Sequence, residues 1–317
     1  MAQGPPVSVE TAPEIAARHR LRLRATYASL AVAVVLIGVK FAAWTGTGSV
    51  ALLSSLVDSL VDAAASLVTF VAVRQAAIPP DREHRFGHGK AEPLAALGQA
   101  AFLLGSALFL IAEAARRLVS PEPIENTGVG VVVMLFSLVV TIGLVAYQRH
   151  VVRRTGSLAI DADALHYSGD ILMNLSVIAT LLIQSALALP IIDPLFGGAV
   201  GAYIIYNAAR IARLALTQLM DRELPDEERA RVRQIAESHP EVTAVHDIRT
   251  RGAGPTAFIQ LHIEMDGAMT LLHAHEISDA VETQLREAFP HAEIIIHADP
   301  AGIEEYVAFP APRTARR

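Results

Sequence analysis

Six long apolar runs, separated by short polar stretches, fill the first two-thirds of the chain, at about residues 25–45, 50–74, 94–118, 129–150, 158–187 and 195–219. Each is long enough to cross a bilayer as a helix, which needs about 20 residues. After Leu224 and Pro225 the pattern changes. D-E-E-R-A-R-V-R-Q-I-A-E-S reads as an amphipathic helix with an acidic first turn. V-T-A-V-H-D-I-R-T-R is strand-like. T-A-F-I-Q-L-H-I-E-M alternates, with Ala257, Ile259, Leu261 and Ile263 on one face and Gln260, His262 and Glu264 on the other. L-L-H-A-H-E-I-S-D-A-V-E-T-Q-L-R-E-A-F returns to helical spacing, with Ala274, Ile277, Val281 and Leu285 as its apolar stripe. H-A-E-I-I-I-H-A-D-P closes the pattern as a strand.

The pattern predicts a membrane bundle of six transmembrane helices followed by a cytoplasmic α+β domain. The order αββαβ implies an open, metallochaperone-like sheet with its helices on one face. The expected boundaries are a disordered tail at 1–17, the six-helix domain at 18–224, the α+β domain at 225–300 and a disordered tail at 301–317. A core of about 75 residues is modest, so pairing with a second copy would strengthen it.

Two of the apolar runs carry acid. S-L-V-D-S-L-V-D ends in Asp58 and Asp62, and H-Y-S-G-D runs from His166 to Asp170. In each, the two polar groups stand at i and i+4 and share a helix face. Ionisable groups at that depth are costly and mark ion or substrate paths. Counted at about 1.5 Å per residue, both pairs reach the same level near the midplane. Three carboxylates and an imidazole there make four ligands for a divalent cation. Lys40, near Trp44, is expected to snorkel to the far interface.

The basic residues set the orientation. Arg18, Arg20, Arg22 and Arg24 precede the first run, and the 2–3 and 4–5 loops are also rich in Arg. The 1–2 and 5–6 turns hold neither Lys nor Arg, so both termini are expected in the cytoplasm despite Arg116 and Arg117 at the far end of the third helix.

The composition agrees: 52% of the 317 residues are hydrophobic and only 18% are charged. A net charge of −6 argues against nucleic acid as a partner. Without cysteine, disulfides and thiolate metal sites are excluded. Seven of the twelve histidines fall after residue 238, and imidazole is the nitrogen ligand left available. Asp81, His84 and His88 in D-R-E-H-R-F-G-H-G-K fit either a zinc-binding loop or a solvated polar loop. In the C-terminal domain His246 with Asp247, His262, His275 with Asp279, and His297 with Asp299 form a candidate metal cluster. His239, His273 and His291 read as surface residues. An intramembrane zinc protease would need H-E-x-x-H, which is absent.

L-V-D-S-L-V-D, H-Y-S-G-D, F-G-H-G-K-A-E and D-R-E-L-P-D, set on six helices, resemble the cation diffusion facilitators, and most closely their bacterial ferrous-iron and zinc efflux branch. The resemblance covers roughly residues 18–300. It implies a homodimer in the bacterial inner membrane that exports divalent metal from the cytoplasm in exchange for protons. It assigns Asp58, Asp62, His166 and Asp170 to the transport site and Asp81, His84 and His88 to a membrane-surface site. It assigns His246, His262, His275, Asp279, His297 and Asp299 to a binuclear cytoplasmic site, and Lys90 with Asp221 to a charge pair near the dimer interface. Zn2+ is then both cargo and regulator, with no organic cofactor and no enzymatic reaction. The alternatives are a membrane-tethered metal sensor, or an antiporter whose metal is iron(II) or manganese(II).

Overall fold

A computed structural model describes residues 12–119, 128–187, 191–254 and 256–302. The chain divides into a helical unit, Ala16–Leu219, and a second unit that includes Met220–Arg317. The helical unit holds α1 (Ala12–Thr47), α2 (Val50–Ala76), α3 (Ala91–Val119), α4 (Gly128–Thr155), α5 (Leu158–Leu187) and α6 (Ile192–Leu219). The first helix starts at Ala12, inside the expected tail, so the four arginines before the first apolar run are helical. The rest of that tail and the stretch beyond residue 302 lie outside the described residues.

Among the described residues, α1 to α4 each contain a segment long and apolar enough to cross a membrane. Asp161, Asp163, His166, Asp170 and Asn174 stand along α5, and Tyr203, Tyr206, Asn207, Arg210 and Arg213 along α6.

Close packing in this unit follows from small residues. Gly197 and Gly201 are four apart on α6 and bring its backbone against α3. A Cβ at Gly201 would fall 2.7 Å from Ile111 Cγ1 and 3.3 Å from the Ala107 carbonyl oxygen. Ala96, Ala100 and Ala107 of α3 meet Val200, Ile204, Ala208 and Ile211 of α6 in one buried cluster, joined by Ala162 and Leu165 of α5. At one end Arg22 donates to Glu92 at 3.1 Å and to the Thr155 carbonyl at 2.7 Å, tying α1 to α3 and to the end of α4.

The second unit runs α7 (Asp226–Glu237), β1 (Ala244–Ala253), β2 (Thr256–Met265), α8 (Leu271–Ala288) and β3 (Ala292–Pro300). Its sheet has the order β1-β2-β3, antiparallel between the first two strands and parallel between the last two. The parallel pair needs a crossover, and α8 supplies it. The alternation in β2 buries Ile259, Leu261 and Ile263 against Val232, Ile277, Val281 and Leu285. The opposite sheet face therefore carries Gln260, His262 and Glu264.

Candidate metal centres

Three groups of His and Asp, each with ligand atoms within 4.8 Å of one another, stand out among the described residues: Asp62, His166 and Asp170; Asp81, His84 and His88; and His246, His262 and Asp299.

The first group is held by α2 and α5. Asp62 and His166 are 15% and 11% exposed in their side chains, and His166 Nε2 lies 2.7 Å from Asp62 Oδ1. One turn on from His166, Asp170 faces the same space. Gly169 lets α6 approach, with Ile204 Cδ1 3.2 Å from where its Cβ would stand. Asp58 is exposed and lies outside this group.

Next to this group lies a polar hub that the sequence reading passed over. Asp163 is 1% exposed. Its two oxygens accept from Ser66 Oγ at 3.0 Å and Gln148 Nε2 at 2.6 Å. Gln148 also donates to Ser29 Oγ at 2.8 Å, and the Ser66 and Tyr167 hydroxyls share a 3.0 Å bond. One buried carboxylate thus gathers side chains from α1, α2 and α4 onto α5. Its signal was in the sequence: Asp163 stands three residues before His166 and seven before Asp170, on the same face. Lys40 does not follow its expected path to the interface. It turns along α2 and donates to Ser59 Oγ at 2.6 Å and the Ser55 carbonyl at 3.1 Å.

The second group sits in the loop between α2 and α3. The backbone N–H groups of Glu83 and His84 donate to Asp81 Oδ1 at 2.9 and 2.6 Å, closing a tight turn. These bonds hold the Asp81 carboxyl below the usual aspartate range, with the His84 N–H as the main cause. Gly87, at φ +76°, supplies the left-handed residue the loop needs before His88. His88 Nδ1 lies 3.3 Å from the Ile78 carbonyl and Nε2 3.4 Å from Asp81; with the proton on Nδ1, Nε2 is available to a metal.

The third group is made by strand register. His246 pairs with His262 across β1 and β2, and His262 with His297 across β2 and β3. The three imidazoles form a row, with ring centroids 5.2 and 4.7 Å apart. Asp299, 5% exposed, lies against all three: 2.8 Å from His262 Nδ1, 3.0 Å from His297 Nε2 and 3.6 Å from His246 Nε2. Glu264, not foreseen as a partner, lies 3.4 Å from His246. Asp247 sits at a bulge with φ +43° and is taken by Arg249 at 2.8 Å, leaving it 3.9 Å from His262. His275 and Asp279 are 3.5 Å apart on α8, 67% and 61% exposed, and are not gathered with the row. Lys90 belongs to the helical unit, where it donates to the Leu219 carbonyl at 3.4 Å, and Asp221 to the second unit, where it meets Arg251 at 3.4 Å.

Each group mixes imidazole with carboxylate, a donor set that suits divalent first-row ions. Two family descriptions match the chain: the cation efflux transmembrane domain over residues 26–220 and the cation efflux protein cytoplasmic domain over residues 224–301. The chain is 48% identical over 284 residues to the cation-efflux pump FieF of Serratia proteamaculans, covering 90% of this chain and 94% of that protein. The FieF pump of Klebsiella pneumoniae is likewise 48% identical, with the same 90% and 94% covered. Among solved structures, the metal-bound C-terminal domain of the CzcD transporter from Thermotoga maritima is 31% identical, over 23% of this chain and 87% of that one, with a TM-score of 0.23. The match to both domain descriptions, and the near full-length identity to the two pumps, place this chain in the cation efflux family, a membrane protein with a helical transmembrane domain and a cytoplasmic α+β domain.

Proposed function

We propose that the protein exports divalent metal ions from the cytoplasm by metal/proton antiport, with zinc the foremost cargo. The observation that carries the reading is the contact between Asp62 and His166, flanked by Asp170, deep in apolar helices where an anchor has no use for charge. Asp58, one turn away on α2, supplies the fourth ligand when its side chain swings toward the ion. Zinc binds neutral imidazole and ionised carboxylate, so protons leave as metal enters and return as it departs. Facing the cytoplasm the site takes metal; facing a more acidic exterior it takes protons instead.

In this reading all six long helices span the inner membrane of a bacterium, with both termini in the cytoplasm. The arginine-rich segments support that orientation. The protein works as a homodimer, which the description of its cytoplasmic domain and its small core both favour. Asp81, His84 and His88 form a surface site. The row of His246, His262 and His297 around Asp299 binds regulatory zinc, and His275 with Asp279 extends it to a second ion. Lys90 and Asp221 are the charge pair that the resemblance assigns near the dimer interface.

Sealed vesicles containing the purified protein test the mechanism under an imposed pH difference. Zinc flux should follow the size and direction of that difference. Flux that ignores both would make the protein a uniporter. A folded dimer that binds zinc and moves none would be a sensor.

A further inference from the structure

Lys40 places an amine within an apolar helix, and its side chain turns onto α2. Its Nζ is fixed by two α2 acceptors, Ser59 Oγ and the Ser55 carbonyl, at 2.6 and 3.1 Å. Ser59 is 1% exposed and adjoins Asp58 in sequence. Ser55, Ser59 and Asp62 stand at i, i+4 and i+7, on one face of α2, so the amine lies along the face that carries Asp62. Ser55 and Ser59 offer it uncharged oxygens, which hold it beside the acidic group without spending a carboxylate on it. An amine used only to anchor the helix would gain more by reaching the interface, where its charge stays solvated.

We propose that Lys40 is the resident counter-charge of the transport site. The ammonium offsets part of the negative charge of the metal-free site and repels the incoming divalent ion. It thereby sets an affinity loose enough for release. Three carboxylates and an imidazole alone would hold zinc tightly, and a carrier that cannot let go does not turn over. The inference rests on the reading of Asp58, Asp62, His166 and Asp170 as the transport site. It adds a residue that shapes affinity without touching the ion.

The experiment titrates Zn2+ into the full-length protein carrying His84→Ala, His262→Ala and His275→Ala, which silence the loop group, the sheet group and its proposed extension on α8. Lys40→Met keeps the length without charge, Lys40→Gln keeps a hydrogen-bond donor without charge, and Lys40→Arg keeps the charge. The Met and Gln variants should bind zinc at the remaining site about ten-fold or more tightly, the scale of losing one nearby like charge at an effective dielectric of about 20. They should also release it more slowly in stopped flow, while the Arg variant stays close to the parent. Unchanged or weaker zinc affinity in folded Met and Gln variants would overturn the proposal. If every uncharged variant loses the folded protein, Lys40 is a packing tie between α1 and α2, and the proposal also falls. Zinc binding that survives Asp62→Ala in the same background would overturn the site reading itself, a failure distinguishable from that of Lys40.

Discussion

His166 Nε2 and Asp62 Oδ1 are 2.7 Å apart although 104 positions separate them in the chain. That contact fixes the level at which α2 and α5 meet, and with it the place where an ion would be held. Asp62→Ala removes the α2 half of the contact. Zinc flux in reconstituted vesicles is expected to fall at least about 100-fold, beyond the range seen for losing a mere outer support of a metal ligand. Gel filtration should show the assembly intact. Near-normal flux would remove Asp62 from the site.

His166→Asp exchanges the nitrogen donor of this group for a hard oxygen. Manganese(II) favours oxygen, whereas zinc and cadmium accept nitrogen well. The variant is expected to gain manganese transport relative to zinc when both ions compete in one vesicle assay. An unchanged ratio would mean that the imidazole does not touch the cargo.

Asp163→Leu removes the acceptor of two buried bonds, leaving the Gln148 amide its bond to Ser29 and the Ser66 hydroxyl its bond to Tyr167. Each lost bond costs about 0.5–1.5 kcal/mol. A clear drop in the thermal midpoint of the detergent-solubilised protein is therefore expected, with a smaller drop for Asp163→Asn. Equal midpoints for Asp163→Leu and the parent would show that the hub adds nothing to the assembly of α1, α2, α4 and α5.

Asp299→Ala takes away the carboxylate that all three imidazoles of the sheet share. Zinc bound per chain is expected to fall, measured after dialysis against a weak chelator, while far-ultraviolet circular dichroism stays unchanged. His275→Ala tests the proposed extension to a second ion on α8. If neither variant lowers zinc content, the row of histidines does not hold zinc.

His273 gives a pH signature outside the membrane. Its Nε2 lies 2.7 Å from Glu241 and its Nδ1 3.3 Å from Glu276, and the bond to Glu241 is the main cause that raises its proton affinity above the usual histidine value. A raised folded value means the tie between Glu241 and the start of α8 is fully present below about pH 6.5 and is lost as pH rises through the higher folded value. An NMR titration of the His273 ring should show a midpoint above that of Glu241→Gln. Coincident midpoints would refute the tie.

The parts legible in the sequence were those with a local period. Spacing of four placed His166 and Asp170 on one face, and alternation in β2 separated Ile259, Leu261 and Ile263 from His262 and Glu264. The same rule reaches Asp163, which stands three residues before His166 and shares its face. Lys40 was misread because an amine that snorkels outward and one that turns inward have the same sequence; Ser55 and Ser59 on another helix decide between them. The histidine row needed the strand pairing, which no single strand encodes. The exposed positions of Asp58, His275 and Asp279 depend on contacts across turns and helices that spacing does not specify.

The histidine row on the sheet has a further consequence for folding. Side chains alternate faces along a strand, so sliding β3 by a single residue against β2 would bring His297 opposite Leu261 or Ile263 and turn its ring toward the helices. Only the correct alignment leaves His246, His262 and His297 in line beside Asp299. An ion that binds this row stabilises that one alignment and none of its neighbours. Metal would then act as a proofreader of the folding chain, drawing the small sheet out of its slipped alternatives before the domain does any work.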